Sequence, residues 1–132
     1  MRIRIIRQKK PADRNLDDEL DWLCASLGFC EDIDRDRTAA AIFRKLLEGT
    51  HRGHALKSEE LSEETGKSRG AVVNHLNKLI SAGLVVRHGT RYELREGSLH
   101  NTIREMHRDM ERMLEDMEEI AKAIDAEYKS GK

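Results

Sequence analysis

Residues 58–95 read SEELSEETGKSRGAVVNHLNKLISAGLVVRHGTRYELR. Ser58 offers a hydroxyl N-cap to a first helix that runs to Thr65, with acidic residues near the positive end of the helix dipole. Gly66 permits a turn with positive φ, and Ser68 caps a second helix. The apolar residues of this second helix are spaced to lie on one face: Val72, Val73, Leu76, Leu79 and Ile80. The pattern predicts two short helices joined by a tight turn.

A β-hairpin is expected directly after the second helix. Gly83 ends that helix, and two short β runs follow, Leu84–Arg87 and Arg91–Arg95, joined across residues 88–90. Helix, turn, helix and hairpin in this order are typical of a winged helix-turn-helix, whose second helix is sized for the major groove of DNA. The predicted fold class is therefore mainly α with a small β-hairpin.

The same stretch resembles the winged-helix regulators of the ArsR and MarR type. The resemblance is carried by LSEETGKSRGAVVNHLNKLISAGLV, from Leu61 to Val85, and covers about 40 of the 132 residues. Within it, the run HLNKLISAGLV is typical of a recognition helix and its exit into the wing. The resemblance implies a DNA-binding transcriptional regulator. Metal-sensing relatives have a cysteine in the recognition-helix region and an Asp-x-His pair in the terminal helix. Both features are missing from this sequence, so neither a metal nor another cofactor is expected.

Candidate DNA contacts lie on the polar face of the second helix and in the wing. Arg, Asn and Lys are the side chains that reach guanine, adenine and phosphate in a major groove, and a glycine lets the backbone approach closely. In the wing, basic residues around a tight turn could meet phosphate or the minor groove, or could simply be solvated. The predicted DNA-binding residues are Ser68, Arg69, Gly70, Asn74, Asn77, Lys78, Arg87, His88 and Arg91.

The distribution of charge supports this interpretation, although the net charge is only −1. Residues 66–95 carry six basic side chains against Glu93 alone, and residues 1–10 carry five basic side chains and no acid. The remaining segments are net acidic. Positive charge therefore concentrates where a phosphate backbone would lie. The basic segment 1–12 could be an arm that contacts DNA or a strand whose edge is guarded by charge.

The region before the first of these helices contains two more predicted helices, which complete a domain over residues 13–97. One has Leu16, Leu20, Leu23 and Leu27 at helical spacing and Gly28 as its C-cap. The other runs from about Asp34 to Glu48 and is closed by Gly49. A loop over residues 51–54 then leads into a short first strand over residues 55–57. The inward positions of the second of these helices are Ala39, Ile42, Phe43, Leu46 and Leu47.

The C-terminal segment, residues 98–130, is predicted to be one long helix capped by Ser98. Its apolar residues are spaced 4, 3, 4, 3, 4, 3, 4, which is an unbroken heptad seam. Such a seam needs a partner, most simply a second copy of the chain in a coiled coil. The predicted dimer interface is formed by Leu99, Ile103, Met106, Met110, Met113, Met117, Ile120 and Ile124. Its methionines could instead suggest an adaptable ligand pocket, but plain core is the commoner use of this spacing.

Several other classes of function are disfavoured. No nucleophile motif, phosphate-binding glycine loop or paired acid is present, so catalysis is not expected. Cys24 and Cys30 could join His51 and His54 in a metal site, but the Cys-x5-Cys spacing is unusual for zinc and ordinary buried thiols are favoured. No apolar run could span a membrane and no secretory segment is evident, so we expect a cytoplasmic protein. The composition, 37% charged with a single glutamine, is consistent with a thermophilic archaeal source.

The sequence thus predicts a homodimeric, sequence-specific regulator of transcription that binds double-stranded DNA. Two alternatives stay open at this point. One is a nucleoid or chromatin protein that binds DNA without strong sequence preference. The other is a winged-helix module that binds proteins and ignores DNA.

Overall fold

A computed structural model describes residues 3–12, 15–28 and 37–131, which form five helices and a three-stranded antiparallel sheet. The fold class predicted from the sequence is confirmed: the chain is mainly helical, with a small sheet and a long C-terminal helix. The elements are α1 (Leu16–Ser26), α2 (Thr38–His51), β1 (Leu56–Lys57), α3 (Ser58–Thr65), α4 (Arg69–Ser81), β2 (Val85–His88), β3 (Arg91–Leu94) and α5 (Leu99–Gly131).

The turn between α3 and α4 forms as the sequence predicts, but the start of α3 does not. Gly66 adopts a φ of +72°, and the Ser68 hydroxyl accepts a hydrogen bond from the backbone N–H of Ala71 at 3.2 Å. Ser58, predicted to be the N-cap of α3, is instead its first helical residue, because the chain passes directly from β1 into the helix. Lys57 takes the cap position, and its N–H donates to Oε1 of Glu60 at 3.2 Å.

The buried face of α4 is narrower than its apolar spacing predicts. Val72, Leu76 and Leu79 are buried against the core. Val73 and Ile80, predicted to share that face, are 41% and 37% exposed. The difference arises because α4 packs on α2, α3 and β2 along one side only. Positions at the edge of the apolar stripe therefore remain in water.

The sheet has the order β1-β3-β2, so that β3 is its central strand. In the register of the hairpin, His88 pairs with Arg91, which leaves a two-residue turn of Gly89 and Thr90. This turn is one residue shorter than predicted, because His88 belongs to β2. Gly89 makes the tight turn possible with a φ of +63°. β1 is the predicted short strand and pairs with the other edge of β3.

α2 ends later than predicted, and within the described residues it begins after Arg37. Arg37 has a φ of +57°, outside the helical region, so the helix begins at Thr38; Asp34 lies outside the described residues. The helix continues to His51, and Gly49 is buried inside it rather than closing it. A Cβ on Gly49 would lie 2.6 Å from the carbonyl oxygen of His54. The glycine is thus required for the close return of the chain toward β1.

Residues 3–10 precede α1 in the chain and run alongside it as an irregular segment that forms no strand. The N–H of Ile6 donates to the carbonyl oxygen of Ser26 at 2.8 Å, and Nε1 of Trp22 donates to the carbonyl oxygen of Gln8 at 3.3 Å. The described part of the basic N-terminus, called the arm below, is thus held on α1 at two points, and its contact with DNA stays a prediction.

Helix α5 divides into a half that packs on the domain and a half that does not. Thr102 and Met106 are buried, and the Thr102 hydroxyl accepts a hydrogen bond from the N–H of Glu96 at 3.1 Å. Ser98 caps the helix as predicted, with Oγ accepting from the N–H of Asn101. Every residue from 111 to 130 is exposed. Among the helices of the described ranges, none is long and apolar enough to cross a membrane.

Candidate nucleic-acid interface

The face of α4 opposite the core is polar and open to solvent. Burial of Val72, Leu76 and Leu79 fixes the helix on the domain, and the helical period then turns the predicted contact residues outward. The Ser68 side chain is engaged in capping, so its chemistry at the surface is that of a helix N-terminus with its N–H groups directed outward. The structure places all of the following on the exposed surface of this helix start and face: Ser68, Arg69, Gly70, Asn74, Asn77 and Lys78.

Gly70 and Arg69 give this face two further properties. Among the described residues, a Cβ on Gly70 would meet no heavy atom within 4 Å, so no packing requirement in that part of the chain explains the glycine. Arg69 forms an ion pair with Glu59 of α3, Nη2 to Oε1 at 2.9 Å, and both side chains are largely exposed. An exposed pair of this kind contributes little free energy, so the guanidinium can exchange its carboxylate for another anion.

In the wing, Arg87 and His88 lie at the tip. Nε of Arg87 donates to the carbonyl oxygen of Gly89 at 2.6 Å, and the guanidinium carbon lies 5.7 Å from the centre of the Tyr92 ring. These contacts hold the cation at the surface of the hairpin. Nε2 of His88 is 3.3 Å from Oε1 of Glu93, and the histidine side chain is 68% exposed.

Arg91 has a different environment from the other wing residues. Its Nη1 donates to the carbonyl oxygen of Ala55 at 2.8 Å and to Oε1 of Glu60 at 3.3 Å. The Glu60 carboxylate also forms hydrogen bonds with the His54 ring and with the Lys57 N–H. These contacts, together with the charge of Arg91, lower the pKa of Glu60. Arg91 therefore ties β3 to β1 and α3, a role that its position beside the predicted turn did not indicate.

A second anchoring arginine, Arg95, is a basic residue of the wing that was not among the predicted DNA-binding residues. Nη1 of Arg95 donates to Oδ2 of Asp109 at 2.6 Å, and both side chains are mostly shielded from solvent. Arg69, Arg91 and Arg95 thus all pair with carboxylates outside residues 66–95. The positive charge available on this surface is consequently smaller than the composition of the segment indicates.

The exposed half of α5 carries most of the predicted seam. Met110 is half-buried, and from Met113 onward the apolar side chains contact solvent. Leu99 and Ile103, in contrast, pack on the domain core, and Met106 is only 3% exposed. The large apolar side chains left in water are Met113, Leu114, Met117, Ile120, Ile124 and Tyr128.

The described residues bring together no group of three or more His, Cys, Asp or Glu that could hold a metal ion. Cys24 is buried, Cys30 lies outside the described residues, and His54 is engaged with Glu60 at 3.1 Å. A cleft of about 470 Å³ lies between the arm, α1 and the start of α5 and is lined mainly by apolar side chains.

An exposed polar helix held by a tight turn, beside a basic hairpin, defines a winged helix-turn-helix protein of the DNA-binding class. Residues 41–86, from α2 to β2, match the model of the family described as bacterial regulatory protein, arsR family. Residues 41–86 therefore resemble an ArsR-family helix-turn-helix domain, and this match supports a DNA-binding transcriptional regulator. No curated protein and no solved structure matches the chain.

Proposed function

We propose that this protein is a sequence-specific regulator of transcription that binds double-stranded DNA as a homodimer in the cytoplasm. The observation that carries the proposal is the outward polar face of α4 within an ArsR-family domain. A helix presented in this way fits the major groove, which is wide enough to admit an α-helix and displays a distinct pattern of donors and acceptors for each base pair.

The exposed residues divide by chemistry into two groups. Arg69, Asn74 and Asn77 have the donors and acceptors that recognise base edges, and Gly70 lets the helix backbone come close to them. Ser68 at the helix N-terminus, Lys78, Arg87 and His88 are suited to phosphate, which positions the protein without reading sequence. Arg91 acts mainly by holding the hairpin against β1 and α3, so that the tip of the wing has a fixed direction.

The homodimer rests on the exposed half of α5. Apolar side chains at heptad spacing on an otherwise highly charged helix form a surface that a monomer would leave in water. The free energy of the dimer comes from the distal seam, Met110, Met113, Met117, Ile120 and Ile124. Leu99, Ile103 and Met106 contribute indirectly, because their contacts with the core fix the direction in which the helix leaves the domain.

The experiment is a selection of bound duplexes from a random library, followed by fluorescence anisotropy on the selected duplex and on a random one. If the dimer neutralises about six to eight phosphates, log K falls against log salt with a slope of roughly −5 to −7. Asn74→Ala is expected to weaken the selected duplex by about 1–3 kcal/mol and to leave the random duplex nearly unchanged.

Two outcomes would contradict the proposal in different ways. Equal affinity for selected and random duplexes, with equal loss in the Asn74→Ala variant, would indicate a nucleoid protein without base recognition. A salt slope near zero for every duplex would indicate that the winged helix binds a protein instead.

A further inference from the structure

The N-terminal arm lies beside the recognition helix. Arg4 lines a cleft of about 280 Å³ together with Asn74, Asn77 and Lys78 of α4. The stem of Arg4 packs over the end of α1, where its Cγ and Cδ would lie 3.3 Å from a Cβ on Gly28. The arm thus brings a basic side chain to the C-terminal part of the helix face proposed to enter the major groove.

After Arg4, the arm is fixed to α1 by two hydrogen bonds. Its hydrogen bonds, from Ile6 to Ser26 and from Trp22 to Gln8, fix the chain along α1 on both sides of Arg7. Lys10, six residues after Arg4, lines the other large cleft with Trp22 and Leu99. The two ends of the arm therefore line different clefts on the surface.

We propose that Arg4 extends the DNA interface by contacting a phosphate beside the groove that α4 occupies. This inference rests on the proposed DNA binding. Arg4 remains exposed next to Asn74, Asn77 and Lys78, and a guanidinium can approach a phosphate with two parallel hydrogen bonds.

The geometry separates Arg4 from the other basic residues of the arm. Lys10 belongs to the same segment and carries the same charge, but it lies at the base of α5 rather than beside α4. General attraction between a basic arm and DNA would make Arg4 and Lys10 equivalent. A specific phosphate contact would make only Arg4 important.

The test uses the full chain and the duplex selected by the wild-type protein, with affinity measured against salt concentration. Arg4→Gln is expected to reduce the magnitude of the salt slope by about 0.9 for each protomer bound. The reason is that a variant that neutralises one phosphate fewer releases fewer counterions when it binds. Arg4→Lys keeps the charge and is expected to keep the slope. Lys10→Gln is the matched control and is expected to leave it unchanged.

The possible failures are distinguishable. If the wild-type protein binds no duplex, the proposed function itself is overturned. If the wild type binds but Arg4→Gln retains the wild-type slope, or if Lys10→Gln lowers the slope equally, DNA binding stands and the Arg4 contact is overturned. Thermal unfolding of each variant provides the check that Arg4→Gln acts on binding, since an unchanged midpoint with a reduced slope is the expected result.

Discussion

Arg95 and Asp109 join the wing to the long helix through a hydrogen-bonded ion pair of 2.6 Å. Arg95 directly follows β3, whereas Asp109 lies on the last part of α5 that packs on the domain. The side chains are 22% and 15% exposed, so water competes only weakly for the contact. The pair lowers the pKa of Asp109 and raises that of Arg95. The guanidinium therefore stabilises the ionised carboxylate, and the carboxylate stabilises the protonated guanidinium.

Removing either member of this pair should destabilise the fold. We expect Arg95→Ala and Asp109→Ala each to lower the free energy of unfolding by about 1–3 kcal/mol, because the remaining charge loses its hydrogen-bond partner. In urea denaturation, the double variant should lose less than the sum of the single variants. Arg108→Ala is the control, since its pair with Glu105 is more exposed and should change stability by about 0.5 kcal/mol or less. Strict additivity would show that the pair contributes nothing.

The same pair should make stability depend on acid pH. Asp109 has a folded pKa below its unfolded value of about 3.9. A depressed carboxyl pKa contributes stability that is present above the unfolded value and is lost as the pH falls through the folded one. Urea denaturation between neutral pH and about pH 2 should therefore show a loss that Asp109→Asn reduces. Parallel curves for the two proteins would contradict the prediction.

Two glycines should respond to alanine in opposite ways. Gly49→Ala would bring a Cβ within 2.6 Å of the His54 carbonyl oxygen and 3.0 Å of Leu56, so we expect a loss of about 1–3 kcal/mol from overpacking. Gly70→Ala meets no atom within 4 Å and should leave stability unchanged or raise it by up to about 1 kcal/mol. On the selected duplex, however, Gly70→Ala should weaken binding. Unchanged affinity would show that the backbone at Gly70 stays away from DNA.

The two wing arginines should separate binding from stability. Arg87→Ala is expected to reduce the salt slope by about one per altered site and to leave unfolding nearly unchanged. Arg91→Ala should lower the unfolding free energy by about 1 kcal/mol, because Ala55 and Glu60 lose a donor. Urea denaturation measures the stability of each variant, and fluorescence anisotropy on the same preparations measures its salt slope. A reduced slope for Arg91→Ala at unchanged stability would restore Arg91 as a direct phosphate contact.

Substitution in the exposed seam should dissociate the dimer without unfolding the domain. Met117 is 65% exposed in the protomer, so Met117→Lys costs little there, whereas two lysines buried in an apolar interface would cost about 2–4 kcal/mol. Sedimentation should show monomers at concentrations where the wild type is dimeric. Ala126→Lys introduces the same charge on the opposite side of the helix and should preserve the dimer. A Met117→Lys dimer of wild-type stability would exclude this seam as the interface.

Local sequence rules predicted the helix-turn-helix well, because its elements are specified by neighbouring residues. Gly66 and Ser68 act on the backbone within four residues of themselves, and the spacing of Val72, Leu76 and Leu79 gives the buried face directly. Val73 and Ile80 were placed wrongly because periodicity indicates the direction of a face but not the width of the surface that covers it.

The remaining differences depend on contacts between distant parts of the chain. Gly49 resembles a helix terminator in sequence, and only the return of His54 shows that it permits a close approach inside a helix. The roles of Arg91 and Arg95 depend on Glu60 and Asp109, 31 and 14 residues away. No spacing rule connects such pairs. Base recognition, phosphate contacts and dimerisation remain predictions, since each involves a second molecule.

The exposed half of α5 would make the response of this regulator depend on how much of it a cell contains. Below the dissociation constant of the proposed dimer, the concentration of dimer follows the square of the protomer concentration. A twofold dilution, such as growth and division produce, would then lower the dimer by about fourfold. Occupancy of DNA would fall more steeply than the protein itself. Dimerisation through these apolar side chains would thus give DNA occupancy a threshold in protein concentration. Cells that have replenished the protein would lie above this threshold, and cells that have not would lie below it.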